Sequence, residues 1–76
     1  MNTNLEYFKT FYYVARCGSI SAAAQQLFIS QPAVSQIIKH LENDLGSSLF
    51  FRTTKGVRLT PEGEVLFSYV AKGYDC

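Results

Sequence analysis

Hydrophobic side chains recur at helical spacing along the first 46 residues of this 76-residue chain. One stripe falls at i, i+3, i+4, i+7 and i+11, the spacing of a helix packed on a core, and consists of Val34, Ile37, Ile38, Leu41 and Leu45. An earlier stripe predicts a first helix over roughly residues 4–17, through Leu5, Phe8, Phe11, Tyr12 and Ala15. A shorter stripe between them predicts a helix with an inward face of Ile20, Ala23, Ala24 and Leu27. Three helices are therefore expected around one core.

Residues with known capping preferences separate the three stripes. Ser19 and Ser30 are suited to cap the second and third helices, because a serine hydroxyl accepts a hydrogen bond from a first-turn N–H group. Gly18 and Gly46 are suited to end the helices before them, since glycine readily adopts the left-handed conformation. Pro32 is tolerated in a first turn that needs no intrahelical N–H donor. Only a short turn is left between the second and third helices.

Small and apolar residues surround that turn. The alanines at positions 23 and 24 let the next helix cross closely, as a helix-turn-helix requires. Phe28 and Ile29 lie in the turn itself, and we expect them to fill the corner between the two helices.

Beyond Gly46 the pattern changes to two short segments typical of strands, residues 49–52 and 57–59. They flank residues 53–56, whose glycine suits a tight turn, so a β-hairpin is expected. Thr60 is suited to cap a final helix, because it is followed by a helix-compatible proline at position 61 and an acid at position 62. The order helix, helix, helix, hairpin, helix predicts a mainly α fold, the winged helix-turn-helix.

The predicted third helix has a second face with the same spacing and the opposite character. Its side chains are short or polar, and they are Pro32, Ser35, Gln36, Lys39 and Asn43. Glutamine can make two hydrogen bonds to adenine, serine can bond to a base or a phosphate, and lysine can neutralise a phosphate. This face therefore suits insertion into a DNA groove, and the alternative is an ordinary solvated helix surface.

Acidic residues are unevenly distributed in a chain whose net charge is only +1. None occurs between Tyr7 and Leu41, and none occurs between Leu45 and Pro61. The cations in or beside these stretches include Lys39, Arg52, Lys55 and Arg58. A local positive surface is therefore expected on a nearly neutral molecule, as in proteins that bind nucleic acid.

The remaining reactive residue types do not form a recognisable site. Cys17 and Cys76 have neither metal-binding nor disulfide spacing, and Cys17 is expected to be a small half-buried residue. His40 and Asp44 stand four residues apart on a helix and are expected to be an exposed pair. No nucleophile with a neighbouring base is evident, so the chain is not expected to be an enzyme. Without a signal peptide or a membrane-length apolar run, the expected compartment is the cytoplasm, with no membrane partner.

The motifs occur together at spacings that resemble one known family. They are Gly18-Ser19-Ile20, Ala23-Ala24, Leu27, Ser30-Gln31-Pro32-Ala33-Val34-Ser35, Ile38, Leu41-Glu42, Leu45-Gly46, Leu49-Phe50, Arg52, Leu59-Thr60 and Glu62-Gly63. Over nearly the whole chain they resemble the N-terminal DNA-binding domain of the LysR-type transcriptional regulators. The resemblance implies a sequence-specific binder of double-stranded DNA, with the helix over about residues 31–45 in the major groove and the wing, residues 49–59, near the minor groove.

Matches to family positions, together with the polar and cationic residues above, define the expected DNA-binding set. It comprises Ser19, Ser21, Gln31, Pro32, Ser35, Gln36, Lys39, Arg52, Thr54, Lys55 and Arg58. For Arg52 the alternative is an ion pair with a nearby acid. Gln36 stands where the family usually has arginine. Arginine favours guanine and glutamine favours adenine, so the family's base preference does not transfer to this chain.

The resemblance also implies how the chain assembles. Residues 1–60 correspond to the winged domain, and residues 61–76 correspond to the start of a linker helix that pairs antiparallel in family homodimers. The stripe expected at the dimer interface is Leu66, Tyr69, Val70 and Gly73, and a second stripe is Phe67, Val70 and Tyr74. The alternative is that both stripes pack inside the domain. A two-fold dimer implies a pseudo-palindromic operator.

Family members are usually several times longer than this chain and have a C-terminal domain that binds a small-molecule co-inducer. That effector-binding domain is expected to be absent here, so no cofactor is expected in these residues.

A competing interpretation is a winged helix used only for protein interaction. Salt-dependent binding to random duplex DNA would separate the two.

Overall fold

The order of helices and strands that the hydrophobic pattern predicts is found in a computed structural model, which describes residues 3–74 and the side chains of residues 5–73. The elements are α1 (Thr3–Cys17), α2 (Ile20–Leu27), α3 (Gln31–Leu45), β1 (Phe50–Thr53), β2 (Gly56–Leu59) and α4 (Pro61–Tyr74). The strands form one antiparallel hairpin. The prediction of a mainly α winged helix-turn-helix is confirmed.

The predicted caps hold the ends of the first three helices. The Ser19 hydroxyl accepts a first-turn N–H group of α2 at 3.1 Å, and the Ser30 hydroxyl accepts a first-turn N–H group of α3 at 3.2 Å. Gly18 and Gly46 have positive φ angles of 67° and 71° after α1 and α3. Each of these features depends on residues within one helical turn of each other, which is why the local pattern was sufficient to predict them.

The core lies where α1, α2 and α3 meet, and the hairpin closes it. Its buried hydrophobic members are Phe11, Val14, Ala23, Ala24, Val34, Ile38, Leu41, Leu49 and Val57. Leu5 and Leu45, which were predicted to belong to the inward stripes, are instead 78% and 48% exposed. Each of them lies in a terminal turn of its helix, where the helix extends past the core.

The turn between α2 and α3 differs from the prediction. Phe28 does not fill the corner, because its side chain is 92% exposed, and Ile29 is 38% exposed. Phe28 has a φ angle of 60° and ends α2 in the left-handed conformation. Backbone hydrogen bonds close the corner instead, from the Phe28 N–H group to Gln25 at 3.3 Å and from the Ile29 N–H group to Ala24 at 3.1 Å. Backbone geometry at the cap, and not side-chain hydrophobicity, therefore sets the position of the Phe28 ring.

The wing is the hairpin of β1 and β2. Phe50 pairs with Leu59 at its base and Thr53 pairs with Gly56 at its tip. The Thr53 hydroxyl accepts the Lys55 N–H group at 3.2 Å and donates to the Gly56 carbonyl at 3.2 Å, which stabilises the turn. The first strand begins one residue later than predicted.

Two backbone contacts fix the wing to the helices. The Val57 N–H group donates to the Gly18 carbonyl oxygen at 3.1 Å, so β2 is tied to the corner between α1 and α2. Gly56 lies so close to this corner that a Cβ atom at position 56 would collide with the same carbonyl oxygen. The orientation of the wing therefore depends on contacts between residues distant in sequence.

Thr60 connects the wing to α4. Its hydroxyl accepts the Gly63 N–H group at 2.9 Å, which confirms the predicted cap, and donates to the Ser48 carbonyl at 2.7 Å. Thr60 is only 3% exposed. At Gly63 a Cβ atom would collide with the Leu49 carbonyl oxygen, so the first turn of α4 packs directly on the chain before β1.

Candidate nucleic-acid interface

The predicted DNA-binding residues lie at the start of α2, on α3 and in the wing, and we call the surface that they form the recognition face. Nine of these eleven residues are exposed, and only Ser19 and Ser35 are half-buried. The structure therefore places the whole set where an external partner can reach it. Their contact with DNA remains a prediction.

The outward side of α3 follows from helix geometry. Successive residues rotate by about 100°, so Gln36 and Asn43 project within about 15° of the direction opposite to the buried side chains of the helix. Lys39 projects to one side of that direction, and all three side chains are exposed. A helix that buries one side and exposes short polar residues on the other can approach a groove closely.

A cleft of about 290 Å³ separates α3 from the wing. Ser35, Lys39 and Glu42 of α3 line one wall, and Arg52 lies on the wing side. Within residues 5–73 no acidic group is within ion-pairing distance of Lys39 or Arg52, although Glu42 lines the same cleft. The two cations therefore remain available to an anionic partner, and the predicted alternative of an Arg52 ion pair is not found among those residues.

The tip of the wing forms a second, smaller depression. Thr54, Lys55 and Arg58 line it together, and its volume is about 240 Å³. All three side chains are exposed. The wing therefore presents cations at its tip as well as beside α3, which is the distribution expected of a segment that follows a phosphate backbone.

The starts of α2 and α3 lie side by side. The Gln31 amide nitrogen donates to the Ser21 hydroxyl at 3.3 Å and so links the first turns of the two helices. Neither first turn contains an acidic residue, whereas those of α1 and α4 contain Glu6 and Glu62. The positive ends of the α2 and α3 dipoles are therefore not neutralised locally and can attract phosphate.

Glu42 is a structural residue of this region that the sequence analysis did not assign. Its carboxylate accepts the Leu49 N–H group at 2.7 Å, and its backbone carbonyl accepts the N–H groups of Gly46 and Ser47 at 2.8 and 3.2 Å. The end of α3 is thereby joined to the start of the wing. An acidic residue at a helix C-terminus is unfavourable for the dipole, and that signal indicates a specific structural partner.

The histidine and cysteine residues singled out in the sequence are placed as follows. His40 and Asp44 are both exposed, and the His40 ring stacks on Tyr7 with centroids 6.0 Å apart. Cys17 is half-buried and packs on the core, as predicted, while Cys76 lies outside the described residues. No cluster of three or more potential metal-ligating side chains occurs within the described part of the chain.

The predicted dimer stripe of α4 is divided between two environments. Leu66 and Val70 are half-buried and pack on the domain's own core, whereas Tyr69 is 69% exposed and Gly73 is exposed. Val65, one turn before Tyr69, is 60% exposed and was not predicted. The outward apolar face of α4 therefore consists of Val65 and Tyr69, with Gly73 one turn further on. The side chain of Tyr74, in the second stripe, lies outside the described residues.

Comparison with known proteins gives a consistent result. Residues 5–64 match the family described as bacterial regulatory helix-turn-helix proteins of the lysR family. The HTH-type transcriptional regulator GltR of Bacillus subtilis is 45% identical over 69 residues, which cover 91% of this chain and 23% of that protein. HdfR of Yersinia enterocolitica is 47% identical over 64 residues, which cover 84% and 22% of the two chains. This chain thus spans less than a quarter of the length of these relatives.

Solved structures extend the similarity to the fold. The DNA-binding domain of BenM in complex with catB site 1 DNA superimposes with a TM-score of 0.87 at 35% identity, over 93% of this chain and 80% of that one. CbnR, described as a LysR family transcriptional regulator, superimposes with a TM-score of 0.85 at 33% identity, over 92% of this chain and 24% of that one. Within the described residues, no helix is sufficiently long and apolar to cross a membrane.

Proposed function

Because the chain belongs to the lysR family of bacterial regulatory helix-turn-helix proteins, we propose that it binds double-stranded DNA sequence-specifically as part of a dimeric transcriptional regulator. The observation that carries this proposal is the recognition face, on which α3 and the wing present exposed polar and cationic side chains around one cleft. The relatives are named as transcriptional regulators, which supports a regulatory and non-enzymatic role in the cytoplasm.

In the proposed complex α3 enters the major groove. Its 15 residues are about 22 Å long, and the groove is about 12 Å wide, so only part of the helix reaches base edges. Lys39 and Arg52 on the two sides of the cleft would neutralise phosphates, and the wing would lie near the minor groove. The first turns of α2 and α3 would hold further phosphates through N–H groups and serine hydroxyls.

A homodimer would form through α4, which we assign to a linker segment over residues 61–76. Val65 and Tyr69 supply an exposed apolar ridge, and Gly73 allows close approach of a second helix. A two-fold dimer places two copies of α3 about one DNA turn apart, or a multiple of it, and so matches a pseudo-palindromic operator. A small-molecule co-inducer, if the regulator uses one, would bind outside these 76 residues.

A salt titration tests DNA binding directly. Fluorescence anisotropy of a labelled random-sequence duplex should show binding by the chain that weakens linearly in log Kd against log salt concentration. Lys39→Gln should reduce the magnitude of the slope by about 0.9, because one phosphate contact is lost. Lys72→Gln removes the same charge from α4, outside the recognition face, and should leave the slope unchanged.

Selection of preferred duplexes from a random pool then tests sequence specificity. A pool that converges on two inverted half-sites supports the proposal. A folded chain that binds no duplex at low salt would contradict it and would favour a protein-interaction module instead.

A further inference from the structure

On the recognition face, the side chain of Gln36 has both the chemistry and the position to bind the edge of a base. Gln36 lies in the second turn of α3, is exposed, and projects almost directly away from the core. The residues that contact base edges in helix-turn-helix complexes lie towards the start of the recognition helix. Asn43 projects in a similar direction but lies about 10 Å further along the axis, near the end of the helix.

The Gln36 amide is available for an external partner. Within the described residues it makes no hydrogen bond, whereas the amide nitrogen of Gln31 already donates to the Ser21 hydroxyl at 3.3 Å. Of the two glutamines on α3, Gln36 is therefore the one whose oxygen and nitrogen are both unused by the fold. Because the side chain is exposed, turning it towards a base disturbs no packing.

The amide matches adenine and not guanine. A glutamine side chain has one donor group and one acceptor, which pair with N7 and the N6 amino group of adenine in the major groove. Guanine presents two acceptors there, N7 and O6, so the amide oxygen would face an acceptor. Arginine is the side chain that most often hydrogen-bonds guanine in the major groove. Helix α3 contains no arginine, and both arginines of the recognition face lie in the wing.

Lys39 could in principle bind guanine, but its position argues for phosphate. It lies three residues after Gln36 and lines the cleft that faces the wing, together with Arg52. This placement directs the ammonium group towards the backbone that the wing would follow. Of Gln36 and Lys39, the side chain positioned to contact a base edge is therefore the amide of Gln36.

We infer that Gln36 selects an A·T base pair in each half-site, with its amide bound to N6 and N7 of the adenine. The inference rests on the proposed DNA binding and adds the identity of one base pair. Replacing that A·T pair by G·C should weaken binding by about 5- to 150-fold.

Selection from a random duplex pool, performed in parallel with four proteins, tests the inference. The parent chain should yield one A·T position per half-site that depends on residue 36. Gln36→Arg should change this position to G·C, Gln36→Ala should make it degenerate, and the matched control Asn43→Ala should leave it unchanged. An identical preference in the parent and in Gln36→Ala would overturn the inference and leave the proposed function intact. A parent that selects no duplex would overturn both.

A base analogue gives a second test that does not require a gain of function. Replacing the selected adenine by 7-deazaadenine removes N7 and should weaken binding of the parent by about two- to tenfold. Gln36→Ala should be insensitive to the same replacement, since the hydrogen bond is already lost. An equal loss in both proteins would overturn the assignment of Gln36 to that adenine. Thermal unfolding of each variant shows that the exposed substitutions leave the fold intact.

Discussion

Helices α3 and α4 are nearly equal in length, with 15 and 14 residues, and each packs one side on the same core. Their outward sides differ. The outward side of α3 carries Gln36 and Lys39, and the first turn of this helix contains no acid. The outward side of α4 carries Val65 and Tyr69, and the first turn of that helix contains two glutamates. One side suits a hydrated, negatively charged partner, and the other suits an apolar partner.

The difference shows where function is encoded in a small helical domain. Both inward sides obey the same requirement, which is to fill the core, and they would look alike in any chain with this fold. The outward sides are free of that requirement, so their chemistry reflects the partner. On this basis we propose DNA as the partner of α3 and a second copy of the chain as the partner of α4.

The largest effect is expected from placing a charge on the outward side of α4. Tyr69→Asp should abolish the dimer, because an aspartate would have to lose its water against an apolar partner. Affinity for a duplex with two half-sites should fall by about 10²- to 10⁴-fold through loss of bivalent binding, while affinity for a single half-site should not change.

Sedimentation across a range of concentrations checks the oligomeric state. Tyr69→Phe keeps the ring and should dimerise like the parent. A monomeric parent at high concentration, or a Tyr69→Asp variant that dimerises equally well, would remove α4 from the assembly.

A smaller effect is expected at Glu42, which lies on the cleft side of α3 but serves the fold. Glu42→Ala leaves the partly buried Leu49 N–H group without its acceptor and should reduce the free energy of unfolding by about 1–3 kcal/mol. Glu42→Gln keeps an acceptor oxygen and should lose less. Urea denaturation of the two variants gives the comparison. Equal stability of the alanine variant and the parent would show that the bond contributes little.

The smallest effect on stability is expected at Arg52, the wing cation of the recognition face. Arg52→Ala should change the free energy of unfolding by less than about 1 kcal/mol, since an exposed arginine contributes little to folding. DNA binding should weaken, and its salt slope should decrease in magnitude by about 0.9. Arg16→Ala removes an exposed arginine of α1 and is the control that should bind DNA normally. A marked loss of thermal stability in Arg52→Ala would make the residue a structural one.

The sequence alone was sufficient for the order of the helices, for most of their caps and for the presence of the hairpin. Ser19, Ser30 and Thr60 cap helices as predicted, and Gly18 and Gly46 end them in the left-handed conformation. These features depend on residues within one turn of each other, so the local pattern contains the information that specifies them. The surface position of the predicted DNA-binding residues of α3 follows for the same reason, because the polar side of this helix is the complement of its apolar stripe.

Tertiary structure decided which apolar residues face outward and how the elements are joined. The Phe28 side chain is exposed to solvent because the left-handed conformation at the end of α2 sets its direction. In α4, Leu66 packs on the core, whereas Tyr69 is exposed. Glu42 binds Leu49 across the end of α3, and the Gly18 carbonyl fixes Val57 of the wing. Each of these outcomes depends on the relative position of segments distant in the chain, and periodicity within one segment contains no information about that position.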